Sequence, residues 1–124
     1  MANDIALRIR DALMTVRVPA VPSEYDIHAL AARALEEAGI VFSHEERLGP
    51  GCRVDFFADG VAIEIKKGKP VQARLLEQAK KYLACEQVRA LVIVSQKRVS
   101  LPASICGKPV YVLCLDRLWG ISLP

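Results

Sequence analysis

The stretch Cys52-Arg53-Val54-Asp55-Phe56-Phe57-Ala58-Asp59-Gly60-Val61-Ala62-Ile63-Glu64-Ile65-Lys66 decides the fold. Two short segments with strand character flank Asp59-Gly60, and an Asp-Gly pair supplies the positive φ that a two-residue type I′ reversal requires. With those two residues as the loop, Ala58 faces Val61, Phe57 faces Ala62, Phe56 faces Ile63 and Asp55 faces Glu64. Side chains alternate along a strand, so Val54, Phe56, Ile63 and Ile65 are expected on the core face. Arg53, Asp55, Glu64 and Lys66 are expected together on the other.

Outward from this hairpin, the chain divides cleanly. Upstream, Ile5, Ile9, Ala12, Leu13 and Val16 have helical spacing, and Pro19 and Pro22 break the chain after them. Ser23, with Asp26 three residues on, is a weaker version of the Ser-x-x-Glu capping box. It opens a second helix whose stripe is Ile27, Leu30, Ala31, Ala34, Leu35 and Ala38, closed by Gly39. Residues 40–48 read as a strand, turned by Gly49-Pro50-Gly51. Downstream, Gly68 and Pro70 precede a third helix over 71–85, with Leu75, Leu76, Ala79, Tyr82 and Leu83 on one face. The apolar runs 90–95 and 110–115 have the length and Val content of buried strands. The order α-α-β-β-β-α-β-β predicts an α/β fold, a mixed sheet flanked by helices. It reads as one domain: an N-terminal helix and linker (1–22), a core (23–95), and a C-terminal strand and tail (96–124).

The 124 residues, 52% hydrophobic and 25% charged, have the composition of a globular domain and exclude wholesale disorder. The longest apolar runs are only strand-length, so no membrane span or membrane partner is expected. Seventeen Lys and Arg against fourteen Asp and Glu give +3, compatible with a polyanionic partner but not diagnostic of one. Cys52, Cys85, Cys106 and Cys114 lack paired metal spacing. With no secretion signal at the N-terminus, they are expected reduced in a cytoplasmic protein.

The chemistry centres on the two opposed acids. Directly opposed strand residues have Cβ atoms ~4.5–5.5 Å apart, and like charges there destabilise a sheet. A hard divalent cation, Mg²⁺ or Mn²⁺, removes that repulsion, because such ions take one or two carboxylates along with water and phosphate. Lys66, two residues past Glu64 on the same face, would reach the water or phosphate beside the ion. Glu24 extends the second helix's stripe backwards toward the sheet and is a candidate third acid. Gln78 and Tyr82, four apart on the third helix, share a face and would orient lysine, water or phosphate. Each feature has a plainer reading. Asp55 and Glu64 would be solvated charges neutralised by Arg53 and Lys66, Glu24 a first-turn acid favoured by the helix dipole, Gln78 a surface residue and Tyr82 core edge. His28, one turn after Glu24, reads as a surface or partly buried structural histidine, His44 as solvent-facing, and Trp119 as a core plug or dimer contact.

Together, Glu24, the Arg53-Val54-Asp55-Phe56 and Ile63-Glu64-Ile65-Lys66 segments and Gln78-x-x-x-Tyr82 resemble the PD-(D/E)XK nuclease superfamily over about residues 23–95. Val54 stands where that motif has its proline. The resemblance implies a restriction-endonuclease-like sheet and in-line hydrolysis of phosphodiesters in DNA. It implies Mg²⁺ (or Mn²⁺) on Asp55, Glu64 and the Ile65 carbonyl, with Glu24 as outer ligand and Lys66 positioning or activating the water. Small stand-alone members include Holliday-junction resolvases and phage or repair nucleases. Those resolvases act as dimers, an arrangement that would help a chain this small hold its substrate. Arg53, Lys67, Lys69, Arg74, Lys80 and Lys81 are the cations expected to meet DNA phosphates, though exposed helices carry such lysines routinely. The alternative is a nucleic-acid-binding or assembly protein that keeps the fold without the reaction.

Overall fold

The computed structural model describes residues 2–17 and 23–116; Pro19, Pro22 and Trp119 lie outside them. The described residues form an α/β fold of three helices and an open, mixed, six-stranded sheet. The elements are α1 (Ala2–Leu13), α2 (Glu24–Glu37), β1 (Ser43–Gly49), β2 (Cys52–Ala58), β3 (Val61–Lys66), α3 (Gln72–Leu83), β4 (Ala90–Ser95), β5 (Ser104–Ile105) and β6 (Lys108–Cys114). Strand order is β1-β2-β3-β4-β6-β5. The first three strands form an antiparallel meander, and β3, β4 and β6 run parallel.

The local signals explain most boundaries. Asp59 and Gly60 have φ 47° and 86°, as a type I′ turn demands, and the resulting register pairs Ala58 with Val61, Phe57 with Ala62 and Phe56 with Ile63. At the start of α2 both capping-box bonds form: the Asp26 N–H donates to Ser23 Oγ (3.0 Å) and the Ser23 N–H to Asp26 Oδ2 (2.9 Å). These bonds hold the Asp26 carboxyl below its ordinary pKa. Gly39, at φ 73°, ends the helix.

Two apolar layers sandwich the sheet. Under α1 and α2 lie Phe56, Ile63, Ile65, Val92 and Val94; under α3 lie Val54, Ala62, Leu91, Ile93 and Val110. The hairpin's second face is therefore covered, not open. The Lys108 ammonium crosses from β6 to the end of α3 and donates to the carbonyls of Leu83 (2.8 Å), a helix-end acceptor, and of Cys85 just beyond (3.1 Å).

Two expectations need correction. Val54 does not share a face with Phe56; it packs under α3. Residues two apart on a regular strand share a face, so the pleat switches at Asp55. At that level Glu45, between the His44–Phe56 and Glu46–Val54 pairs, adopts φ 55°. The C-terminal region also gains a strand, β5. It joins β6 through Cys106-Gly107 at φ 56° and 73°, a turn that Cys does not advertise because a Cβ disfavours positive φ.

Candidate active site

The Asp59-Gly60 reversal brings Asp55 and Glu64 together, and there the ladder changes character. Beyond Phe56–Ile63, carboxylates take the place of backbone acceptors. The Ile65 N–H donates to Asp55 Oδ2 (2.7 Å), and the Asp55 N–H donates to Glu64 Oε1 (3.2 Å). Each acid thus satisfies an amide at the other's level, and both are drawn between the strands.

The second Glu64 oxygen, Oε2, carries a polar chain. Lys66 Nζ lies 3.3 Å from it and Gln78 Nε2 also 3.3 Å. Gln78 Nε2 donates to Tyr82 Oη (2.8 Å), which donates to the Arg53 carbonyl (2.9 Å). The helical spacing of Gln78 and Tyr82 makes this possible, since i and i+4 stack on one face. Lys66 is itself rooted firmly. The Gln96 N–H donates to the Lys66 carbonyl (2.8 Å), Gln96 Oε1 accepts from the Gly68 N–H (2.8 Å), and the Lys97 N–H donates to the Gly68 carbonyl (3.2 Å).

Electrostatics follow from burial. Glu64 is only 6% exposed. Burial first, and the Asp55 charge second, push its carboxyl up to about 7, with Lys66 pulling the other way. Tyr82 is also pushed up, chiefly by burial and then by the Glu64 charge, so it remains a phenol throughout the neutral range.

Of the remaining expected residues, Arg53 is exposed and ion-paired with Glu45. Arg74, Lys80 and Lys81 line a cleft of about 850 Å³ that Lys66, Gln78 and Tyr82 also line. Neither Asp55 nor Glu64 lines it, and neither do the exposed Lys67 and Lys69. Glu24 begins α2, but its side chain lies outside the described residues.

His28, partly buried as expected, lies beside the acids. Its Nε2 lies 3.7 Å from Asp55 Oδ2 and its Nδ1 3.5 Å from His44 Nε2. His44 in turn stacks on Phe56, with ring centroids 4.7 Å apart.

Among the described residues no group of three or more His, Cys, Asp or Glu forms a metal cluster. The donor chemistry nevertheless fits a hard cation. Asp55 and Glu64 offer paired carboxylate oxygens held close together, and Mg²⁺ needs only one or two carboxylates when water completes its shell. No helix among the described residues is long and apolar enough to cross a membrane. No family model matches the sequence, and no curated protein or solved structure matches the chain.

Proposed function

We propose that this protein is a metal-dependent nuclease of the PD-(D/E)XK kind, hydrolysing phosphodiester bonds in DNA. One observation carries the reading: Glu64 is buried against Asp55, with Lys66 and Gln78 both 3.3 Å from its outer oxygen. Solvated surface charges do not adopt that arrangement, because a buried acid beside another acid is costly. The meander β1–β2–β3, the α3 crossover and parallel β4 supply the element order a restriction-endonuclease-like core requires.

Asp55, Glu64 and the Ile65 carbonyl, with Glu24, would hold Mg²⁺ or Mn²⁺. Such an ion, when bound, lowers the pKa of water and offsets negative charge building on phosphorus. The chain's own groups do the rest. Lys66 directs its ammonium toward the attacking water or a phosphate oxygen. Gln78, fixed by Tyr82, keeps Oε2 of Glu64 in one orientation. Arg74, Lys80 and Lys81 offer positive charge along the cleft to the phosphate backbone. A cytoplasmic setting, DNA as partner and a homodimeric arrangement belong to the same reading.

The test is incubation with linear, nicked and branched DNA and Mg²⁺ or Mn²⁺. Cleavage is expected, and the Glu64→Ala/Lys66→Ala double variant is expected to lose it by roughly 10³-fold or more, as when charge-stabilising groups are removed from other active sites. Cleavage no greater than that of the double variant refutes the reading.

A second reading is a nucleic-acid-binding or assembly protein that keeps this fold without the reaction. The Lys66–Glu64 ion pair favours it, since that pair offsets the acid without any metal. Calorimetry with Mn²⁺ separates the two. The nuclease binds the ion and loses it in Asp55→Asn, whereas the binding protein shows no specific site.

A further inference from the structure

Cys52 opens β2 and Cys85 follows α3, thirty-three residues apart, yet their sulfurs approach to 2.9 Å. Both are free thiols. A disulfide requires an S–S distance of about 2.05 Å, so closure needs less than ~1 Å of movement shared by two side chains. We infer that Cys52 and Cys85 form a reversible dithiol–disulfide site, oxidised by a small-molecule disulfide of the glutathione type, which ties β2 to the end of α3. This inference is independent of the nuclease reading.

The two sulfurs differ in access, which assigns their roles. Cys85 is half-buried and meets the oxidant; Cys52, 3% exposed, does not. Cys85, as thiolate, attacks one sulfur of oxidised glutathione. The oxidant's S–S bond breaks and one glutathione thiolate leaves. Cys52 then gives its proton to solvent, its sulfur attacks Cys85 Sγ, and the second glutathione thiolate departs. Two protein thiols lose two electrons and two protons, and oxidised glutathione becomes two thiols. Burial, and then the neighbouring Cys85, push the Cys52 thiol up to about 12, so Cys52 stays protonated until a mixed disulfide forms beside it. Proximity compensates for its low thiolate fraction, since the second step is intramolecular. The Lys81 ammonium, 3.3 Å from where a Cβ on Gly51 would sit, lies on the Cys52 flank and favours loss of that proton.

The bond would close a loop containing Asp55, Glu64, Lys66, Gln78 and Tyr82. Arg53 and Tyr82, whose hydrogen bond links the same two elements, flank it.

The test uses the full chain carrying Cys106→Ser and Cys114→Ser, equilibrated across glutathione redox buffers. The expected product has lost two hydrogens, carries no glutathione, and yields a peptide joining Cys52 to Cys85. Its Tm rises by about 10 °C and returns on reduction. In the added Cys52→Ala variant, glutathione should remain on Cys85; in Cys85→Ser, Cys52 should stay unmodified. The inference is overturned if both sulfurs stay reduced across the series. A glutathione adduct that persists on Cys85 while Cys52 is present overturns it equally.

Discussion

The β2–β3 hairpin has two halves that solve the same problem differently. Near the turn, Phe56–Ile63, Phe57–Ala62 and Ala58–Val61 pair regularly, and all but the partly buried Phe57 sit fully in the core. One step further on, Asp55 and Glu64 interrupt the ladder with their own carboxylates. The first half spends its side chains on packing and stabilises the fold. The second holds charge where water is scarce and works against stability. Apolar packing and buried charge thus meet within a single strand pair, on adjacent residues.

The contrast has measurable consequences of opposite sign. The largest belongs to the packed half: Phe56→Ala, at a fully buried site, should lower stability by about 4 kcal/mol in denaturant unfolding. A cost below ~1 kcal/mol would mean that this half is not the structural anchor.

Glu64→Gln should do the reverse. The Glu64 carboxyl rises from its ordinary 4.5 to about 7 on folding, so between those values the native state binds the extra proton and stability falls as pH rises. The stability this group contributes is complete below pH 4.5 and is lost as pH passes about 7. Removing the charge should therefore stabilise the metal-free protein at pH 8 by roughly 3 kcal/mol, and by little at pH 4. Urea midpoints for both proteins across pH 4–8 check this, and parallel curves would break the contrast.

Gly60→Ala tests the turn that feeds both halves. At φ 86°, with the new Cβ 3.1 Å from Arg89 Cδ, it should cost roughly 1–2 kcal/mol of thermal stability. Asp55→Asn gives the smallest effect. Its amide oxygen still accepts from Ile65, and loss of the charge relieves Glu64, so the metal-free protein should gain about 1 kcal/mol at pH 8. The Glu64 midpoint should also move down while staying above the ordinary range, since burial is the larger cause of its rise. A sharp drop in melting temperature instead would make Asp55 a structural residue.

Local chemistry that forces a unique backbone was legible in the sequence. Asp59-Gly60 set the register, Ser23 and Asp26 set the start of α2, and the 90–95 run set β4 residue for residue. Gln78 and Tyr82 were paired correctly because helix geometry leaves no other neighbour at that spacing. What escaped depended on departures from regularity. Strict alternation put Val54 with Phe56, but the pleat switches at Asp55, where carboxylates accept strand amides and Glu45 alongside takes a positive φ. The helix cover over the acids' face comes from the β3–β4 crossover, a long-range arrangement that no strand pattern encodes. The Cys106-Gly107 turn was missed because its first residue tolerates the required φ only under tertiary constraint.

Gln96 gives Lys66 a particular freedom. With the carbonyl of Lys66 and both polar groups of Gly68 stapled to the segment after β4, the base of the lysine cannot drift. Only the aliphatic stem can pivot, so its charged tip sweeps a short arc centred beside Glu64. A tether of that kind trades reach for aim: the ammonium can swap one oxygen for another within the arc, while distant anions stay beyond its grasp.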